Sequence, residues 1–197
     1  MTRCTRLGPG DYRTMPWKNG AGATTELLIE PAGATLAAGF LWRLSMAVVA
    51  VSGPFSAFPG IDRTLLLLDG GGLELDHGPH GRVLLPGPLE PASFPGDWAT
   101  CGRLLDGPCR DFNVMSDRAR IRHGVTVVRP GPVPAALPEA PTLLVFCARG
   151  RVRVTAPGVQ ADLQEGDLLS LAGEGDGPVP AAAAGAGALV AVALHPR

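Results

Sequence analysis

Glycine and proline interrupt the apolar sequence so often that the chain is confined to short elements. Its 197 residues hold 27 glycines and 20 prolines. They are spread without a period, which argues for many turns and against long helices or a collagen-like repeat. Between them lie runs such as "TTELLIEP", "RTLLLLDGGGLELD", "PTLLVFCARGRVRVTA" and "GALVAVALHP". Apolar runs of this length, bounded by turn formers, read as strands. A helix competes only in 38–51. There Trp42, Leu44, Met46 and Val48 alternate with period two and run into β-branched Val49 and Val51, which favours a strand. The expected fold class is all-β.

A weak internal repeat sets the organisation. "TLLLLDGGGLELD" begins at Thr64 and "TLLVFCARGRVRVT" at Thr142, and residues 84–87 match 163–166 with one residue of slip. Each copy reads as a strand, a Gly-centred hairpin turn, a second strand and a Gly-marked turn; a β-bulge would absorb the slip. Two β-rich halves follow, 1–105 and 106–197, with strands open to exchange between them. The Ala- and Gly-rich stretch 181–188 reads as a flexible loop before the strand pattern returns in "LVAVAL".

A net charge of −1 creates no field for nucleic acid or an anionic membrane. No window reaches the ~18 apolar residues of a membrane span, and "MTRCTRLGPGDY" lacks the apolar core of a secretory signal. The expectation is a cytoplasmic protein with no nucleic-acid or membrane partner. Cys4, Cys101, Cys109 and Cys147 form no CxxC pair and read as reduced, mostly structural thiols.

Several chemistries are disfavoured by what is missing. His77 and His80, in "DHGPHGR", lack a third ligand at strand spacing and read as exposed loop histidines, so no metal is expected. No GxSxG elbow exists, Ser56 and Cys101 have no neighbouring base in sequence, and "GAGATT" lacks the lysine of a phosphate loop. No cofactor and no covalent nucleophile are expected. What remains is a set of polar residues on apolar strands. Arg43 and Ser45 share one strand face. Arg63 precedes the apolar run Leu65–Leu68 and needs a partner, which Asp62 or Glu26 could supply. Such arginines either form internal ion pairs or clamp a small anion in a barrel mouth.

The blocks "PWKNGAGATTELLIEP", "FLWRLSMAVVAVSGPFSAFPGIDRTLLLLDGGGLEL", "FPGD" at 94–97 and "RDFNVM" at 110–115 resemble the HutD/Ves family in order and spacing over about residues 10–120. The resemblance implies a cupin-like bicupin, with two antiparallel β-barrels and no histidine-rich metal motif. It also implies a non-enzymatic role beside bacterial histidine-utilisation genes: binding a small carboxylate such as N-formylglutamate and limiting flux. The family motif falls here on Trp17, Lys18, Asn19, Gly20, Gly22 and Thr24, on Arg43 and Ser45, on Phe58, Gly60, Asp62 and Arg63, and on Asp111, Asn113 and Met115.

The stretch "MPWKNGAGATTEL" then reads as a pocket loop. Gly20 and Gly22 let the backbone turn and approach closely, Trp17 forms a wall, and Lys18 and Asn19 offer a cation and an amide. Thr24 and Glu26 share the next strand's face. Arg43 and Arg63, on neighbouring strands, aim at the same hollow, with Asp62 orienting an arginine and Asn113 entering from the connection between the halves. The favoured class is a binding protein with no catalytic residue. The alternatives are a metal-independent isomerase or hydrolase using Glu26 or Asp62 as general base, and a purely structural or interaction protein. Open sheet edges are compatible with a homodimer.

Overall fold

The computed structural model describes residues 1–17 and 22–197. The calls on Lys18, Asn19 and Gly20 lie outside the described residues. Among the described residues, seventeen strands and three short 3-10 turns form the regular structure, and the chain divides into two compact units, Tyr12–Ile121 and Met1–Asp11 with Arg122–Arg197.

After β1 (Arg3–Leu7), which belongs to the second unit, come the strands of the first: β2 (Arg13–Pro16), β3 (Gly22–Glu30), β4 (Trp42–Val49), β5 (Gly53–Phe55), β6 (Ile61–Gly70), β7 (Leu73–Asp76), β8 (Arg82–Leu85), β9 (Ala92–Pro95), β10 (Thr100–Leu104) and β11 (Cys109–Asp117). They build a six-stranded sheet, ordered β2-β3-β4-β11-β6-β9, and a four-stranded one, β5-β10-β7-β8. The core between them includes Val49, Leu65, Leu67, Leu73, Leu75 and Phe94. All of Leu65–Leu68 are at most 1 % exposed, and burying each leucine contributes about 2 kcal/mol.

The second unit adds β12 (Ile121–Val128), β13 (Ala135–Ala136), β14 (Thr142–Ala156), β15 (Val159–Gln164), β16 (Leu168–Ala172) and β17 (Ala182–Pro196). Its sheet is ordered β1-β16-β14-β17-β12, with β15 on β14 and β13 on β17. β1 comes from the N-terminal half and pairs Arg3 with Ala172.

The repeat read from sequence is present in the topology. β6 pairs with β9 and β11, and β7 with β8 and β10. The single long β14 pairs with β16, β15 and β17 in the same way. Thr64 lies opposite Ser93, and its repeat partner Thr142 opposite Ala172. The Gly-centred segments are not hairpins, however. In the first copy Gly70–Gly72 carry the chain from one sheet to the other, with Gly70 at φ 111° and its missing Cβ 2.6 Å from the Cys109 backbone. In the second copy the strand runs straight through Gly150, and its register against β17 shifts between Cys147 and Arg149. The expected flexible loop at 181–188 is instead mostly strand. Its small residues let β17 press on β14: a Cβ on Gly187 would sit 2.3 Å from the Arg149 carbonyl oxygen.

The expected division after residue 105 falls in the turn before β11. That strand is paired on both sides, to β4 and β6, so the first unit continues to Ile121. Among the described residues, none of the three sheets closes on itself.

His77 departs from the exposed-loop expectation. It is 1 % exposed, its Nδ1 lies 2.9 Å from Thr100 Oγ1, and its ring packs on Phe94 and Trp98. Burial lowers its pKa. His80 remains at the surface, stacked on Trp98. All four cysteines are free, with Cys109 and Cys147 buried.

Candidate functional site

One face of the six-stranded sheet in the first unit lines a cavity of about 720 Å³. Strand alternation decides which side chains reach it. β4 contributes Arg43, Ser45 and Ala47, β11 contributes Asp111, Asn113 and Met115, and β6 contributes Arg63. Register sets their rows: Met115 lies between Arg43 and Arg63, and Asn113 lies between Ser45 and Leu65. The two arginines therefore face the same cavity, but from strands separated by β11 rather than from neighbouring ones. Thr24 and Trp17 complete the wall. The Trp17 indole Nε1 donates to Thr24 Oγ1 at 2.8 Å, and the Trp17 N–H donates to the Gly22 carbonyl at 2.9 Å. Gly22 allows this closure, because a Cβ there would lie 2.2 Å from the Val48 oxygen and 3.0 Å from the Trp17 ring.

The arginines differ in what holds them. Arg43, 4 % exposed, donates from Nε to Glu26 Oε2 at 2.6 Å and from Nη1 to Ser45 Oγ at 3.2 Å. Glu26 reaches it from β3, where it pairs with Ser45 just before a register shift. Arg63, 5 % exposed, has no ion-pair partner among the described residues. Asp62 points to the opposite face, as adjacent strand residues must, and binds Arg118 at 2.6 Å. It thus orients an arginine, but one away from the cavity. Arg118 also binds Asp97, which accepts from the Gly60 N–H, so the "FPGID" and "FPGD" turns are tied together.

Arg63 lies within reach of three aromatic rings, Phe55, Phe58 and Phe94, with its Cζ 5.2–5.8 Å from their centroids. Its Nη1 donates to the Ser56 carbonyl at 3.3 Å and its Nε has no partner among the described residues. Burial pushes its pKa down to about 10, against the pull of Asp111 and with the help of Arg43. A buried donor left without a partner costs about 1–3 kcal/mol, so this guanidinium is held ready for an acceptor.

Asp111 was a motif residue but not a candidate contact in the sequence reading. The signal was there: "DFNVM" places it on the same strand face as Asn113. It is 4 % exposed, and burial pushes its carboxyl up to about 7, opposed by the Arg63 charge and a backbone hydrogen bond from Ala47. Its Oδ1 and the Oδ1 of Asn113 are both unpartnered among the described residues. The aromatic surround of Arg63 also escaped the sequence, because Phe55, Phe58 and Phe94 come from three separate segments. No cluster of three or more His, Cys, Asp or Glu that could hold a metal ion occurs among the described residues.

The HutD family model matches residues 10–191. An uncharacterised 21.2 kDa protein of the hutC 3′ region of Pseudomonas putida is 36 % identical over 163 residues, covering 80 % of each chain. A conserved protein of unknown function from Pseudomonas aeruginosa PAO1 superposes with a TM-score of 0.89 at 33 % identity, covering 98 % of this chain and 99 % of that one. HutD from Pseudomonas fluorescens SBW25, in a formate condition, gives 0.84 at 33 % identity over 99 % and 100 %. The fold is all-β and cupin-like, and the chain belongs to the HutD family.

Proposed function

We propose that this protein is a non-enzymatic bicupin that binds a small carboxylate metabolite, such as N-formylglutamate, and regulates histidine utilisation in the cytoplasm. The observation that carries the reading is Arg63, a buried guanidinium with a free Nε donor and no ion pair in contact among the described residues, facing a cavity of metabolite size. A carboxylate is the planar partner that such a fork accepts. The hutC-region relative agrees with this context. In this reading Arg43, neutralised by Glu26, shapes the wall, while Asn113, Ser45, Thr24 and Trp17 choose the ligand's shape. Lys18 and Asn19, outside the described residues, remain proposed contacts. Thermal shift with N-formyl-L-glutamate, glutamate, urocanate and formate tests it. A ligand at a hundred times its Kd adds ~2.7 kcal/mol to stability, and Arg63→Met abolishes the shift. No shift with any of these acids contradicts the proposal.

Asp111 favours a second reading. A carboxyl raised to about 7 in a cavity suits a general base working near neutral pH, whereas Glu26 and Asp62 are engaged by arginines. A metal-independent isomerase or hydrolase would convert one of the same acids, and loss of turnover in Asp111→Asn would support it.

A further inference from the structure

An anion-binding cavity gains nothing from a buried carboxylate unless that carboxylate can surrender its charge. Asp111 and Arg63 line the same cavity and sense each other's charge. The other ionisable groups around Asp111 are accounted for. On β4, Arg43 is neutralised by Glu26 from β3. On β11, Cys109 is held neutral because burial pushes its thiol up to about 11. On β6, Asp69 is paired with Arg110 and Asp62 with Arg118, which leaves Arg63 as the β6 charge without an ion pair. With all of them in their usual states, the described walls carry no net charge: each arginine is matched by one carboxylate.

A ligand carboxylate arriving at Arg63 would be a second carboxylate within reach of that guanidinium's charge, which Asp111 already senses without touching it. Like charges at a shared site raise each other's affinity for a proton, as does burial, and an uncompensated buried charge is costly. Asp111 Oδ1 has no hydrogen-bond partner among the described residues. It is the oxygen free to carry a proton and donate it.

We propose that a small carboxylic acid binds this cavity as its anion together with one solvent proton, which Asp111 holds and donates to the ligand as a carboxyl O–H. The only bond formed is that O–H. The positive charge of Arg63 and the negative charge of the one ligand carboxylate it holds then cancel, and Asp111 adds no second negative charge beside them. Asp111 is thereby a binding residue that makes affinity depend on pH, and the inference rests on the cavity being a site for small acids.

The protein rests on its own carboxyl as the sensor, so calorimetry of N-formyl-L-glutamate binding, in HEPES and in Tris at pH 6 and pH 8.5, decides it. The ligand's carboxylates stay ionised throughout this range, so changes belong to the protein. At pH 8.5 the heats in the two buffers differ by the uptake of close to one proton per ligand. Kd is nearly flat below pH 7 and weakens about tenfold per pH unit above it. In Asp111→Asn the buffer dependence vanishes and Kd is the same at both pH values. If that variant does not fold, the wild-type heats alone decide. Binding with a pH-independent Kd and no buffer-dependent heat overturns this inference and leaves the acid site standing. Absence of binding at both pH values overturns the acid site and this inference with it.

Discussion

Glu26 Oε2 accepts from Arg43 Nε at 2.6 Å across the β3–β4 pair, while Arg63, facing the same cavity from β6, has no such carboxylate among the described residues. One arginine is tied into the wall and the other keeps an unpartnered Nε among the described residues. Removing one member of a buried ion pair strands its partner and costs about 3–5 kcal/mol. Glu26→Ala is therefore expected to lower unfolding stability by that amount in urea titrations. Arg63→Met removes a buried cation that has no ion pair, and its loss of stability is expected to be smaller than that of Glu26→Ala.

Asp111 gives stability a pH dependence of definite sign. Its carboxyl is raised from 3.8 to about 7 in the folded state, so the folded chain holds a proton that the unfolded chain has released. Its contribution is fully present below about pH 4 and is lost as pH rises through 7, by up to about 4 kcal/mol. Chemical denaturation at pH 5 and pH 8 is expected to show Asp111→Asn gaining on wild type at the higher pH. Equal differences at the two pH values would contradict the assignment.

His77 acts in the opposite direction. Burial lowers its pKa below the usual histidine value, so the unfolded chain takes up a proton first as pH falls. Its contribution is present above about pH 6.5 and is lost as pH drops through the lowered folded value. His77→Gln is expected to flatten the loss of stability between pH 6.5 and pH 5, measured as the denaturant midpoint.

Gly22 is predicted to be irreplaceable for steric reasons alone. A methyl there would press 2.2 Å from the Val48 oxygen and against the Trp17 ring. Gly22→Ala is expected to cost about 1–3 kcal/mol, the usual range for overpacking. Because Trp17 lines the cavity, the same variant should also weaken binding of acids that stabilise the wild type. A variant with unchanged unfolding and unchanged binding would contradict this geometry.

The strand content and the internal repeat were legible in the sequence, because period-two alternation and Gly/Pro spacing are local signals. Arg43 and Ser45 could be placed on one face for the same reason. The partners could not. Whether Glu26 or Asp62 served Arg63 depended on which face Asp62 took and on a register shift in β3, and the answer was neither. The small residues of 181–188 looked like a loop because composition does not reveal that close strand approach requires them. The burial of His77 is not legible, because Gly78-Pro79 marks a turn without saying that the side chain before it is buried. Asp111 lies within reach of alternation, but its raised pKa depends on burial, which the strand pattern alone does not reveal.

The most direct test of the central claim is the calorimetric titration of N-formyl-L-glutamate at pH 6 into wild type and Arg63→Met. Saturable binding to wild type, weakened at least about thirtyfold in the variant, is the predicted result, as expected when one side of a buried charge pair worth about 2–5 kcal/mol is removed. Equal affinity in both proteins would contradict the account.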